Sequence, residues 1–194
     1  MEQPPASQPN LAPAELGLIV KALSFAAHKH RDQRRNNADA SPYINHPIAL
    51  ADVLTNEADI RDGAIICAAL LHDTIEDTDT SFAELERHFG AVIAGFVLEM
   101  TDDKTLPKAV RKQRQIDRAD RLSDSAALVK LADKICNLRD LAEQAPVGWD
   151  TNRRREYFDW ARQVVDRLPA TGVWRDAMTR LKAAFARAYA QRPT

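Results

Sequence analysis

The sequence predicts an all-α protein, and three observations carry that expectation. Apolar residues recur three and four apart along almost the whole chain, no run alternates apolar with polar, and only six glycines interrupt it. Ala14 to Gln33 places Leu16, Ile19, Val20, Leu23 and Phe25 on one helical face. A polar stretch from Arg34 to Ser41 follows. Pro47 then suits the first turn of a second helix through Leu54. A third helix starts near Arg61 or Asp62 and carries His72 and Asp73 at its far end. Ser81-Phe82-Ala83-Glu84 has the spacing of a capping box and opens a fourth helix. That helix stops at Phe89-Gly90, and another runs on through Met100. Thr101 to Pro107 breaks the pattern, and Lys108 to Asp117 is a highly charged helix or arm. Ala126 to Ala142 is strongly periodic, and helices over about 153–168 and 175–191 close the chain.

At 194 residues, with 45% hydrophobic and 28% charged residues, the chain reads as one globular domain over 14–194 behind a disordered lead-in over 1–13. A formal net charge of −1 gives no pull toward nucleic acid or an anionic membrane. No apolar run approaches the roughly 18 to 20 residues that span a bilayer. The start of the chain lacks a charged segment before an apolar one, so a cytoplasmic protein is expected. Cys67 and Cys136 fall inside apolar helical patterns and read as buried free thiols.

The chemistry concentrates at His72-Asp73 and, one turn later, at Glu76 and Asp77. On a continuous helix His72 shares a face with Glu76, and Asp73 with Asp77. Two adjacent ligands reach one ion at the helix edge, so further ligands must come from elsewhere. His46 is offered by the rigid Tyr43-Ile44-Asn45-His46-Pro47 turn. Asp133 interrupts the apolar face of Leu128, Leu131, Ile135 and Leu138, where an uncompensated charge is costly. Taken alone, His46 reads as a turn residue and Asp133 as the partner of a buried Arg139 or Arg35. Their joint occurrence with the His-Asp pair favours a metal site.

Several stretches together carry a family resemblance: 29–35 (KHRDQRR), 42–47 (PYINHP), 68–78 (AALLHDTIEDT), 101–108 (TDDKTLPK), 130–134 (KLADK), 137–141 (NLRDL) and 156–158 (EYF). The chain resembles the HD superfamily of metal-dependent phosphohydrolases, and within it the alarmone hydrolases related to the RelA/SpoT proteins, of the small stand-alone metazoan SpoT homologue type. The likeness runs from about Leu16 to Leu168. It implies a bundle of about eight to ten helices around one divalent ion, manganese, with His46, His72, Asp73 and Asp133 as ligands. It implies hydrolysis of the 3′-pyrophosphate of guanosine tetra- or pentaphosphate (ppGpp, pppGpp) to GDP or GTP and pyrophosphate. Glu76 and Asp77 are then the catalytic pair that activates or positions water. Arg35 packs on the base, Asn137 contacts the nucleotide, and Lys108 and Tyr157 reach the ribose and 5′-phosphates.

The chain departs from its relatives in one loop, where Asn36-Asn37 follow Arg35 and a lysine is commonly found, so one phosphate contact is expected to differ. The synthetase half of the long enzymes has no counterpart here, so no alarmone synthesis is expected. His30 is expected to pack or to support the site. The basic run Arg111 to Arg114 and Arg154 read as a solvated face. Two other functions fit the same residues: a phosphatase of another phosphorylated nucleotide or dinucleotide such as NADPH, and a non-catalytic nucleotide-binding HD protein.

Overall fold

The computed structural model describes residues 11–37, 39–169 and 172–194; residues 1–10 of the expected lead-in lie outside that range. The described residues form nine α-helices and no strand. They are α1 (Pro13–Lys29), α2 (Asn45–Asp52), α3 (Gly63–Leu71), α4 (Thr74–Asp77), α5 (Phe82–Met100), α6 (Lys108–Arg118), α7 (Asp124–Glu143), α8 (Thr151–Val165) and α9 (Arg175–Tyr189). One antiparallel bridge, Arg34 to Pro42, closes the loop between α1 and α2.

Two helices form the centre. Every residue of α3 except Ala64 is buried, as a helix that is apolar all round must be. It packs against α1, α2, α5 and α7. Asp62 starts it by accepting from the backbone N–H of Ala64 (2.8 Å) and Ile65 (3.1 Å). α7 packs against α3, α2, α5, α8 and α9, with Leu128, Leu131, Ile135 and Leu138 fully buried. Full burial of each such side chain stabilises the fold by roughly 1.5–3 kcal/mol. Cys67 and Cys136 are free and buried, and burial pushes the Cys67 thiol up to about 12. No helix among the described residues is long and apolar enough to cross a membrane.

Three boundaries depart from the sequence reading. α1 ends at Lys29 rather than Gln33, because His30 takes a non-helical conformation and the chain turns through Arg31–Gln33. α2 starts at Asn45 and, past Asp52, widens into a π-helical turn over Val53–Glu57. The third departure matters most. α3 stops at Leu71, His72 and Asp73 form a turn, and Glu76 and Asp77 lie on the separate single turn α4. The helical ladder is interrupted at the His-Asp pair, while Asp77 N still donates to Asp73 O at 2.8 Å and so keeps Asp77 one turn beyond Asp73.

The predicted capping box is half formed. Ser81 Oγ accepts from Glu84 N at 3.1 Å, while the Glu84 carboxylate instead takes Lys29 of α1 at 3.2 Å. The predicted stop at Gly90 is a kink within α5, where φ is +83° and ψ 162°. That region is open to glycine almost alone.

Glycine at 90 is required by backbone geometry and glycine at 95 is not. Neither position has a neighbour that an added Cβ would meet. Gly90→Ala is expected to lower stability by about 1–3 kcal/mol, and Gly95→Ala, within the regular half of α5, to raise it by about 0.5–1 kcal/mol; urea titrations of the two variants check both signs.

A second stability prediction concerns Glu57. Its carboxylate receives a fork from Arg139 of α7 (2.6 and 2.9 Å), with Arg187 of α9 at 3.5 Å. The Arg139 hydrogen bonds hold it below the ordinary glutamate range. A depressed carboxylate contributes stability above its unfolded pKa and loses it as pH falls through the folded one. Glu57→Gln should cost about 1 kcal/mol at neutral pH for this partly exposed pair. The difference from the parent should shrink as pH falls below the ordinary glutamate range and vanish once the folded-state carboxylate is protonated, which denaturation across a pH series will show.

Candidate metal centre and its cavity

The start of α2 and the turn leading into it aim His46 inward. Asn45 N donates to Pro42 O (3.2 Å) and His46 N to Tyr43 O (3.0 Å), so Pro42 to His46 is wound tightly. From the other side comes the α3–α4 turn. His72 Nδ1 lies 2.9 Å from Ala69 O, a carbonyl that only accepts, so the ring proton sits on Nδ1. That leaves His72 Nε2 as a bare acceptor, buried without a hydrogen-bond partner and 2.8 Å from Asp73 Oδ2. Two acceptors facing each other inside a bundle call for a positive charge between or beside them. Asp133 completes the group from α7: its Oδ1 is 3.2 Å from His46 Nε2. His46, His72 and Asp133 offer ligand atoms within 4.8 Å of one another, and all three residues are buried. Asp73 stands beside His72, accepting a hydrogen bond from the Tyr43 hydroxyl. This donor set, two imidazoles with carboxylates, fits a divalent cation.

The surroundings shift the pKa of the two imidazoles in opposite directions. Burial depresses the His46 pKa, so its neutral, ligating form is favoured. At His72 burial also pushes down, but the charges of Asp73 and Asp133 outweigh it and raise the pKa. Asp133 is held well below the carboxylate range, where Lys134 and His46 overcome its burial. Its other oxygen takes Lys134 Nζ at 2.9 Å, and Asn137 Nδ2 donates to Oδ1 at 2.5 Å. Arg139 and Arg35, the other candidate partners of Asp133, go to Glu57 and to Asp140 with Asn137.

All ten residues singled out in the sequence line one cavity of about 220 Å³: Arg35, His46, His72, Asp73, Glu76, Asp77, Lys108, Asp133, Asn137 and Tyr157. Glu76 Oε2 accepts from Asp102 N at 3.0 Å, Arg111 approaches Oε1 at 3.5 Å, and burial raises its pKa. Asp77 accepts from Gln33 Nε2 at 3.0 Å and from Lys104. Tyr157 is pushed up to about 12, chiefly by burial. A second cavity of about 320 Å³ adjoins, sharing Arg35, Tyr43, Asn137 and Tyr157 as walls. Its other walls include Arg34, Asn36, Gln144 and Trp149, and Arg153 lies 4.4 Å over the Trp149 ring. Asn36 thus faces the outer cavity, away from the candidate ligands.

The basic face of α6 corrects the sequence reading. Arg111 and Lys112 are not a solvated surface; with Lys108 and Gln115 they line the inner cavity. Their positions follow i, i+3, i+4, i+7. Facing them, α7 presents Lys130, Asp133, Lys134 and Asn137 at the same spacing. Lys130 and Lys134 are almost fully buried, and burial lowers the Lys130 pKa. Lys112 and Lys134 flank the Trp160 ring at 4.7 and 4.4 Å. The signal was present in the sequence as a helical stripe, but a polar one. A polar stripe turns inward only where anions and aromatic faces answer its cations, which local sequence does not encode.

The HD-domain family profile matches residues 22–159. The chain belongs to the HD-domain family. Proteins of mouse and human named guanosine-3′,5′-bis(diphosphate) 3′-pyrophosphohydrolase MESH1 are each 54% identical to it over 158 residues, 81% of this chain and 88% of theirs. A solved structure described as a metazoan ortholog of SpoT that hydrolyses ppGpp is 43% identical, with a TM-score of 0.81 over 94% of this chain and 98% of that one. The chain is therefore similar to these three proteins along most of their length.

A divalent ion at this HD-domain centre should stabilise the fold by mass action, by about 2.7 kcal/mol at a free concentration 100 times its Kd. For a chain of this size that is a rise in Tm of roughly 5–10 °C. Thermal melts with manganese and with a chelator check it, and His46→Ala and Asp133→Asn are expected to remove the difference.

Proposed function

We propose that this chain is a manganese-dependent (p)ppGpp 3′-pyrophosphohydrolase, a single hydrolase domain over 14–194 that works on a small nucleotide in the cytoplasm. The observation that carries this reading is the pair of joined cavities, one charged and one lined by Arg35, Tyr157 and Trp149. Five carboxylates and six lysine or arginine side chains line the inner one. With a divalent ion added, positive charge exceeds negative there, which suits a pyrophosphate. The outer cavity offers planar cations and aromatic faces to a purine. The names borne by the mouse and human relatives and the description of the solved metazoan structure agree with this substrate.

In this reading His46, His72, Asp73 and Asp133 hold the ion. When bound, it supplies Lewis-acid chemistry, lowering the pKa of water and neutralising phosphoryl charge. The remaining work belongs to the chain. Glu76 and Asp77 orient the attacking water and accept its proton. Lys108, Arg111 and Lys112 receive phosphate oxygens, and Asn137 and Tyr157 bridge the two cavities at the ribose. Arg35 stacks on the base, kept in place by Asp140 and Asn137. Such phosphoryl chemistry rests on positioning and electrostatics more than on covalent participation.

The test is release of pyrophosphate and of phosphate from ppGpp, with and without manganese, alongside NADPH. Metal-dependent pyrophosphate from ppGpp is the expected product, absent in Asp73→Ala. Glu76→Gln and Asp77→Asn should each lower kcat by a factor on the order of 10²–10⁴. Phosphate from NADPH with ppGpp left intact would overturn the substrate while keeping the centre.

A further inference from the structure

Two residues next to the centre have no part in the chemistry above. His30, 2% exposed, ends α1; its Nδ1 lies 2.6 Å from Gln33 Oε1. Gln33 Nε2 in turn donates to Asp77 Oδ2 at 3.0 Å. The direction of both bonds follows from one charge. An ionised carboxylate only accepts, so Gln33 must turn its N–H toward Asp77 and its oxygen toward His30. His30 Nδ1 therefore carries the proton, and Nε2 is a bare acceptor. Nε2 is buried with no hydrogen-bond partner. A ring present only to fill space has no use for a nitrogen left unsatisfied; phenylalanine would pack there at less cost.

The same imidazole lies against the Tyr43 ring, with centroids 4.8 Å apart and planes at 32°. Backbone bonds knit the loop below them: Gln33 N to His30 O (3.0 Å) and Tyr43 N to Gln33 O (3.1 Å). Asp77 has a second partner, Lys104, but that side chain is half exposed and sits between α5 and α6. Gln33 is the partner anchored to the body of the fold.

We propose that His30 and Gln33 are positioning residues: His30 orients the Gln33 amide, and the amide holds the Asp77 carboxylate in the rotamer that faces the water. This inference rests on the reading of Asp77 as a water-orienting group. Lys104 is free to leave Asp77 when substrate arrives; Gln33 stays.

The experiment is a kcat and KM series on ppGpp with the manganese-loaded full chain. Gln33→Ala and His30→Phe should each lower kcat about tenfold or more, as a misplaced reacting group does. KM should stay within about twofold, because no contact to substrate is removed. The double variant should be no slower than the slower single variant. His30→Asn, whose amide N–H takes the place of Nδ1–H, should restore most of the rate. A folded Gln33→Ala with the parent kcat, single losses that multiply, or His30→Asn as slow as His30→Phe would each overturn the proposal. The ¹⁵N spectrum of His30 gives a readout apart from activity. A proton on Nδ1 is expected in the parent protein and a mixed tautomer in Gln33→Leu; a proton on Nε2 in the parent refutes the arrangement. Should the parent leave ppGpp intact, the substrate reading falls, and the tautomer still decides whether His30 orients Gln33.

Discussion

Asp133 is a carboxylate in the middle of a buried helix, and much of the site is arranged around satisfying it. Leaving such a charge without its partners costs about 3–5 kcal/mol. Three partners compensate it: His46 from the first turn of α2, and Lys134 and Asn137 from its own helix. Each partner is itself tied down. His46 is set by the Pro42–His46 turn, and Lys134 lies against Trp160, whose indole N–H donates to Lys112 O at 3.0 Å. The charge therefore locks α2, α6, α7 and α8 to one another at the point where the chemistry is proposed to occur.

The turn between α3 and α4 serves that arrangement. A continuous helix would send His72 and Asp73 in directions about 100° apart. In the turn after Leu71, His72 Nε2 and Asp73 Oδ2 lie 2.8 Å apart, and Asp77 N donates to Asp73 O at 2.8 Å. The single turn α4 thus keeps Glu76 and Asp77 at a fixed offset from the candidate ligands. Its backbone is anchored to the pair it follows, and its side chains are held by Asp102, Arg111, Gln33 and Lys104.

Two helices with matching polar stripes enclose the charged cavity. On α6 the stripe is nearly all cationic, with Ile116 the one buried residue of that helix. On α7 it interrupts an otherwise apolar helix, and its lysines are buried almost completely. Burying cations is expensive unless anions or aromatic faces answer them. Here Asp133 and Trp160 answer Lys134, and Tyr157 and Trp160 answer Lys112. Surplus positive charge of this kind gains its full compensation from a bound polyanion.

Much of the molecule was legible in the residues alone. Helical periodicity marked the long elements, because a helix face repeats locally and needs no partner to be recognised. The break at Gly90 and the cap at Ser81 were legible for the same reason: both depend on a few adjacent residues. The candidate ligands and the Glu76-Asp77 pair were named through their order and the family resemblance, and the fold gathers them into one cavity. What the tertiary structure alone decided were the relations across the chain: the turn that separates α3 from α4, the inward turn of Arg111 and Lys112, the burial of Lys130, and the reach of Gln33 to Asp77. None of these is a local property. Whether a lysine is solvated or buried, and which carboxylate an amide meets, depends on which elements the packed core places opposite it.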